Sequence, residues 1–292
     1  MVIAVLCVFA VLFMTGVLTY NDLLVKLGMA DKPASDAELS VHFIDVGQGD
    51  STLIICKGEA MLIDAGERDM GKTVVKYLEA QKIKELKYVV ITHPHTDHLG
   101  GMIDVFNSSI KIDKVFMSEI PENELPTNTT YQQFLNKAQQ CGIKFTKATD
   151  TKFKLGNAEI EMYAPDPKKD YESLNNYSIV TRLTHGDNTF LFTGDIESAA
   201  EKNLIKRDVK LDAKVLKVAH HGSSTSSTSD FLDAVSPRYS VIMCGVDNSY
   251  NHPNDKIVSR IKKYCENVFR TDLDGTVVFE SDGEGINVKK EK

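Results

Sequence analysis

The seven-residue stretch 92–98 constrains this chain more than any other part of its sequence. It reads Thr-His-Pro-His-Thr-Asp-His and follows an apolar, strand-like segment. In an extended stretch, residues two apart point to the same side, so His93 and His95 can hold one ion together. Asp97 and His98 follow at once and are predicted to open a helix whose first turn directs them at a second ion. The stretch therefore predicts two divalent ions, about 3.5–4 Å apart, of the kind that serve hydrolysis.

His-x-His-x-Asp-His behind a strand resembles the signature of metallo-β-lactamase-fold hydrolases. Three other strand ends are similar to further motifs of that family. Met-Leu-Ile-Asp-Ala-Gly contains Asp64, and the resemblance implies that this residue supports the metal site without being a ligand. Phe-Leu-Phe-Thr-Gly-Asp ends at Asp195, the acid that bridges both ions, and a third strand leads to the pair His220-His221. The resemblance implies an α/β fold, a four-layer αββα sandwich, over residues 38–292.

A narrower resemblance is carried by four short strings that occur in order along the chain. They are His-Phe-Ile-Asp-Val-Gly-Gln-Gly-Asp-Ser from His42, Asn-Asn-Tyr-Ser-Ile-Val from Asn175, His-His-Gly-Ser from His220, and Tyr-Asn-His-Pro from Tyr250. Together they resemble the hydrolase domain of ComEC-type DNA-uptake competence proteins. This implies a phosphodiesterase or nuclease whose substrate is a phosphodiester such as DNA.

The resemblance also implies how the ligands are divided between two ions, zinc or manganese. His93 and His95 hold the first ion, while Asp97, His98 and one histidine of the His220-His221 pair hold the second. His221 is favoured, because it directly precedes a glycine that lets the chain turn beside the ion. The sequence leaves open which of the two histidines binds.

Further side chains are predicted to act on water or substrate. Asp97 could orient the attacking water or act as its general base. His252 could donate a proton to the leaving oxygen or hydrogen-bond a phosphate. The predicted catalytic residues are thus Asp97, His220 and His252, and the predicted substrate-binding residues are Asn176, Ser178 and Ser223.

The middle of the chain departs from the family pattern. Many members supply a third histidine to the first ion there, but this sequence has Asn175, Asn176 and Ser178. The nearby His185 lies in a predicted hairpin turn, Thr-His-Gly-Asp-Asn, and is not expected to be a ligand. The first ion is then under-coordinated, which leaves positions for water or substrate and favours tolerance of manganese as well as zinc.

Periodicity supports the two-sheet prediction. The segments 53–64 and 179–195 repeat one pattern, in which two strands around a polar turn are followed by an acid. If each segment belongs to one sheet, both acids reach the same edge of the sandwich. The chain of 292 residues, 42% hydrophobic and 26% charged, can bury the core of one such domain.

The N-terminus is expected to be separate from the domain. Residues 2–20 carry no charged side chain. An uncharged, apolar stretch of this length can span a bilayer as one helix. We predict a transmembrane anchor or signal segment over 1–21 and a linker over 22–37. Family resemblance then favours a domain outside the membrane, either anchored or secreted.

The net charge and the family resemblance together leave three functions open. The formal net charge of −7 argues against a strong nucleic-acid binder but does not exclude a nuclease whose metals supply local positive charge. The alternatives are a cell-surface phosphoester hydrolase, such as a phosphorylcholine esterase, and a catalytically idle, metal-stabilised scaffold.

Overall fold

The computed structural model of this chain describes residues 37–292. The predicted membrane segment 1–21 and nearly all of the predicted linker 22–37 lie outside that part. Within residues 37–292, no helix is long and apolar enough to cross a bilayer.

Two mixed sheets organise the described residues. The first sheet has the strand order β15-β14-β1-β2-β3-β4-β5-β6, in which β3 to β6 run parallel and the other neighbours are antiparallel. Its strands are β1 (Leu39–Phe43), β2 (Thr52–Cys56), β3 (Glu59–Ile63), β4 (Glu85–Ile91), β5 (Lys111–Met117), β6 (Phe145–Lys147), β14 (Val277–Ser281) and β15 (Ile286–Lys290).

The second sheet repeats this plan with the order β13-β12-β11-β10-β9-β8-β7. Its strands β10 to β13 are parallel and the rest are antiparallel. They are β7 (Thr151–Leu155), β8 (Ala158–Tyr163), β9 (Val180–His185), β10 (Asn188–Phe192), β11 (Val215–Lys217), β12 (Tyr239–Ile242) and β13 (Asn267–Arg270).

Helices lie on the outer faces of both sheets. The α-helices are α1 (Gly71–Ala80), α2 (Thr96–Leu99), α3 (Met102–Asn107), α4 (Thr129–Gln140), α5 (Ser198–Lys206), α6 (Ser229–Val235), α7 (Asp255–Tyr264) and α8 (Thr271–Asp274). Leu78 of α1 and Phe134 of α4 share one buried cluster with Val89 of the first sheet. Leu204 and Phe231 of α5 and α6 pack with the second sheet in another.

A third apolar cluster lies between the sheets. It contains Phe43 and Phe279 from the first sheet and Phe190 and Phe192 from the second. Between the sheets, the ring centroids of Phe43 and Phe192 are 6.0 Å apart and those of Phe190 and Phe279 are 6.2 Å apart. Three stacked layers of buried apolar side chains separate four layers of secondary structure, as burial on both faces of each sheet requires. The predicted αββα sandwich is confirmed.

The internal repeat is visible in the topology. Hairpin β2–β3 is followed by parallel β4, just as hairpin β9–β10 is followed by parallel β11. Asp64 follows β3 and Asp195 follows β10, so both acids leave their sheets at equivalent strand ends.

Candidate metal centre

The residues of the opening motif lie at the carboxyl end of β4. Thr92 and His93 continue the chain beyond the strand, and Asp97 and His98 belong to the single-turn helix α2. The prediction that Asp97 and His98 open a helix is therefore confirmed. The equivalent end of β11 leads into a turn, Ala219–Gly222, that contains the second histidine pair.

Four of the predicted ligand residues meet in one place. Asp97, His98, Asp195 and His221 each present a ligand atom, and these atoms all lie within 4.8 Å of one another. His98 Nε2 is 3.1 Å from Asp195 Oδ2, and His221 Nε2 is 3.3 Å from the same oxygen. The Asp195 carboxylate thus lies at the centre of the group.

His93 and His95 adjoin this group on one side. His93 Nε2 is 4.0 Å from Asp195 Oδ2, and the same nitrogen lies 2.9 Å from His95 Nδ1. Two ligand atoms of one tetrahedral zinc ion, each about 2.1 Å from the metal, are roughly 3.4 Å apart, so the two nitrogens are close enough to share an ion.

Hydrogen bonds from behind fix which nitrogen of each histidine faces the centre. His98 Nδ1 donates to the buried Asp64 carboxylate at 2.8 Å, and His221 Nδ1 donates to the Met243 carbonyl at 2.8 Å. Thr92 also binds Asp64, through its backbone N–H at 2.9 Å and its hydroxyl at 2.6 Å. With Nδ1 engaged, the Nε2 atoms of His98 and His221 face the centre, the arrangement that metal sites use to orient histidine ligands.

The centre carries an excess of negative charge. Burial alone would lower the pKa of His98, but the carboxylates of Asp195 and Asp97 raise it well above its usual value. Asp195 raises the pKa of His221 in the same way, against the effect of burial. In return, His221 and His98 hold the pKa of the buried Asp195 well below its usual range. The carboxylates therefore make additional positive charge favourable at this centre.

A divalent ion fits these residues. Asp195 Oδ1 and His98 Nε2 are buried and have no hydrogen-bond partner, although buried polar atoms normally find one. Imidazole nitrogens and carboxylate oxygens are ligands that suit zinc and manganese. Clustered histidines and aspartates in this fold indicate divalent metal binding.

Two charged residues behind the centre were missed as functional residues by the sequence analysis. Lys217, at the end of β11, is buried, and its ammonium contacts Asp50 Oδ2 and lies 3.6 Å from Asp195 Oδ1. Burial would lower the pKa of this lysine, but Asp50 and Asp195 raise it. The signal in the sequence was a lysine inside an otherwise apolar strand.

Asp50 comes from a glycine-flanked loop that passes the centre. A Cβ at Gly49 would overlap the Asp97 carbonyl oxygen, so the two backbones approach more closely than any side chain allows. The Asp50 N–H donates to that carbonyl at 3.1 Å. The loop thereby ties the first strand pair to the start of helix α2.

The predicted substrate-binding residues do not line the cleft, and their polar groups bond to other parts of the protein. Asn176 Oδ1 accepts from the N–H groups of Glu197 and Ala200, at 3.0 and 3.2 Å, and so caps the start of α5. Ser178 Oγ accepts from the Asp195 N–H at 3.0 Å, and Ser223 Oγ lies 3.1 Å from a threonine hydroxyl. All three serine and asparagine side chains are buried and bonded to the protein, because short polar groups near a loop satisfy backbone N–H groups first.

An open cleft of about 300 Å³ leads to the centre. His220 lies on its wall, where its ring is 3.2 Å from Asn175 Nδ2 and 3.4 Å from Glu197 Oε1. The hydrogen bond from His220 is the main reason why the pKa of Glu197 falls to about 2. The cleft is lined by Gln48, His95, Thr96, Asp97, Asn128, Asp195, His220, His221, Tyr250 and His252.

The two histidines of the pair His220-His221 differ in position. His221 is buried among the acids, whereas His220 reaches the cleft, and both have left-handed backbone conformations with φ near +50°. The strand itself ends at Lys217, so the pair lies in a turn and not at a strand end as expected. His185 lies elsewhere, buried against Ser281, as expected for a residue that is not a ligand.

His252 faces both histidines of the pair. Its ring centroid is 5.4 Å from that of His220 and 6.3 Å from that of His221. Burial, together with these two neighbours, lowers the pKa of His252 to about 4. Near pH 7 it is therefore a neutral imidazole, suited to donating a hydrogen bond from one nitrogen and accepting one at the other.

A larger cavity of about 810 Å³ lies at a different place, between the loops after β5, β6 and β8. Its walls carry both signs of charge, and Arg207 is paired there with Asp150. None of the clustered histidines or acids of the metal centre lines it.

Comparison with known proteins agrees with this geometry. The family model described as the metallo-beta-lactamase superfamily matches residues 44–246. The chain is 29% identical to "Competence protein ComA" of Neisseria gonorrhoeae over 283 residues, 96% of this chain and 36% of that protein. It is also 29% identical to "ComE operon protein 3" of Bacillus subtilis over 269 residues, 85% of this chain and 34% of that protein. The chain therefore spans about a third of the length of these curated relatives.

Among solved structures, the fold is similar to that of CmlA, a diiron beta-hydroxylase from Streptomyces venezuelae. The TM-score is 0.51 at 13% sequence identity, and the match covers 89% of this chain and 59% of the other. At that identity the likeness concerns the fold alone.

Proposed function

This chain belongs to the metallo-β-lactamase superfamily, as a metallo-hydrolase related to competence proteins, and we propose that it is a phosphodiesterase or nuclease acting on DNA. The observation that carries the proposal is the convergence of Asp97, His98, Asp195 and His221 at the base of an open cleft. The similarity to competence proteins supplies the substrate class.

We assign six residues as ligands of two divalent ions, zinc or manganese. His93 and His95 would hold one ion, Asp97, His98 and His221 the other, and Asp195 would contact both. When bound, such ions supply Lewis acidity, which makes water a better nucleophile and balances charge on a phosphoryl group.

The side chains of the cleft would orient the attacking water and hydrogen-bond the reacting phosphate. Asp97 is the most accessible acid of the group, with 19% of its side chain exposed, and is the best placed to orient the attacking water. His220, held by Asn175 and Glu197, would direct a ring nitrogen to a phosphoryl oxygen. His252 would hydrogen-bond the phosphate rather than protonate the leaving oxygen, because its pKa is about 4.

The location of the domain is a second part of the proposal. An anchor or signal at residues 1–21 would hold the domain outside the membrane or direct it to secretion. The uncharged run over 2–20 is the support for this assignment. Protease treatment of intact cells would degrade an external domain and spare one inside.

The central experiment measures turnover by the purified full chain after loading with zinc or with manganese. Single-stranded DNA, a chromogenic phosphodiester, a phosphorylcholine ester and a cephalosporin are compared. We expect hydrolysis of the first two. Turnover of the phosphorylcholine ester alone would favour a cell-surface phosphoester hydrolase, and no turnover of any would favour a scaffold.

A matched pair of histidine variants guards against a contaminating nuclease. His98→Ala removes a residue at the centre and is expected to abolish turnover. His185→Ala removes another buried histidine, remote from the cleft, and is expected to retain it. Equal loss in both variants would contradict the assignment of the centre.

A further inference from the structure

An exposed aromatic ring lies at the mouth of the cleft. Tyr250 is 63% exposed, unlike most large apolar side chains of the described residues, and it lines the same cleft as the metal-centre residues. One face of its ring rests on His252, with centroids 5.8 Å apart and planes inclined by 24°. His252 in turn stacks on His221, at 6.3 Å and 29°. A column of rings thus runs from the centre to the surface and ends in an open tyrosine face.

The loop that carries this ring is held in place by its own hydrogen bonds. Asn248 Oδ1 accepts from the backbone N–H groups of Tyr250 and His252, at 3.2 and 3.0 Å. Asn248 Nδ2 donates to the Gly245 carbonyl at 2.9 Å, and the Gly245 N–H donates to Gln48 Oε1 at 3.2 Å. The ring is therefore presented by an ordered loop, and little conformational entropy is lost when a ligand covers it.

The cleft lining, as the described residues give it, lacks the lysines and arginines that usually bind a polyanion. Among residues 37–292, no lysine or arginine lines the cleft, and the chain has a formal net charge of −7. Within the cleft, phosphate contacts are then confined to the metal centre. Further affinity inside the cleft has to come from uncharged groups, of which Tyr250 is the largest.

We propose that Tyr250 stacks on a nucleobase of a single-stranded nucleic acid and so positions the neighbouring phosphodiester at the metal centre. This inference rests on the proposed phosphodiesterase function and names its substrate class more closely. Every base has a π-face, so such a contact tolerates any sequence. A base in a duplex is already stacked on both sides and has to be unstacked first, which makes single strands the preferred substrate.

The same ring fits a quaternary ammonium group less well. Recognition of such cations uses several aromatic rings around the charge. Tyr250 offers one open face, and its neighbour in the column is an imidazole. The open face of Tyr250 is suited to stacking on another flat ring, such as a nucleobase.

The test measures binding of the full chain, purified in detergent and loaded with metal, to two oligonucleotides of equal length. One is a thymidine oligomer and the other has abasic residues, and both carry phosphorothioate linkages that resist hydrolysis. Base–aromatic stacking contributes about 1–3 kcal/mol per base, which is about 5- to 150-fold in affinity. We expect Tyr250→Ala to weaken binding of the thymidine oligomer by a factor in this range and to leave binding of the abasic oligomer unchanged.

Two further variants and one further ligand complete the design. Tyr250→Phe keeps the ring and should retain the preference for bases. Val246→Ala shortens a side chain that is 67% exposed, in the same segment but outside the cleft lining, and should change neither affinity. Equal weakening of both oligomers by Tyr250→Ala, or no weakening, would overturn the inference, as would an effect confined to a phosphorylcholine ester.

The inference and the proposed function can fail separately. Cleavage of ordinary phosphodiester oligomers, with or without bases, tests the hydrolytic function. The difference in affinity between the thymidine and abasic oligomers tests the role of Tyr250, even when no cleavage is found.

Discussion

Replacing Lys217 with methionine should destabilise the metal-free protein by an amount set by one buried charge. The ammonium contacts Asp50 Oδ2, donates to the Gly194 carbonyl at 3.0 Å and lies 3.6 Å from Asp195 Oδ1. The lysine and both acids are at most 6% exposed. Removing one partner of a buried pair leaves the other charge uncompensated, which costs about 3–5 kcal/mol. For a domain of this size, that corresponds to a fall in Tm of roughly 6–20 °C.

Thermal unfolding, followed by circular dichroism in the presence of a chelator, measures this loss. Adding zinc should then raise the Tm of Lys217→Met by more than it raises that of the unmodified chain. A bound divalent ion supplies positive charge next to Asp195, and a ligand that binds only the folded state stabilises it by RT ln(1 + [L]/Kd). The variant has lost one positive charge there, so its centre should bind a cation more tightly.

The double variant Lys217→Met, Asp50→Asn provides the control. With both charges removed, no buried charge is left without its partner, so most of the lost stability should return. The reasoning would be refuted by a Lys217→Met protein that melts within about 2 °C of the unmodified chain in chelator. It would also be refuted by a double variant that is less stable than the single one.

Three further changes test the centre and its surroundings. His221→Ala should lower the bound metal by one ion per chain in elemental analysis while His220→Ala keeps it, and full metal content in the His221 variant would contradict the ligand assignment. Gly194→Ala places a Cβ 3.0 Å from Ser178 Cβ at a φ of +51°, so we expect a loss of about 1–3 kcal/mol in urea unfolding, and an unchanged midpoint would disprove the contact. Burial lowers the pKa of His42 to about 4, so the stability tied to its neutral form is complete above pH 6.5 and decreases by about 3 kcal/mol as the pH falls towards 4. His42→Gln should flatten this pH dependence, and identical slopes for the two proteins would refute it.

The motif residues could be predicted because they are local. His93, His95, Asp97 and His98 follow one strand within six residues, and strand geometry alone directs them to one edge of a sheet. The resemblance to metallo-β-lactamase-fold hydrolases implied the αββα fold and the role of Asp195. The repeated strand–turn–strand–acid pattern supported the two sheets.

The residues behind the centre could not be predicted in the same way. Asp50 and Lys217 are far apart in sequence, and their contact depends on how the first sheet packs against the second. Asn176 and Ser178 were predicted to bind substrate, whereas the structure bonds both side chains to backbone N–H groups. A short polar side chain can serve a substrate or a backbone N–H equally well, and only the packed structure shows that these two bind the N–H groups of Glu197 and Asp195.

Charge balance links the buried acids to metal binding. One lysine and two histidines with raised pKa values face an excess of carboxylates, so the metal-free centre retains protons on the nitrogens that a cation would use. Metal and protons therefore compete for the same Nε2 atoms, and uptake of metal has to release protons. The carboxylates favour the binding of protons and of metal alike. Metal affinity should therefore fall as the pH is lowered and protons occupy the histidines. The acids concerned are the buried Asp50, Asp64 and Asp195 and the partly exposed Asp97.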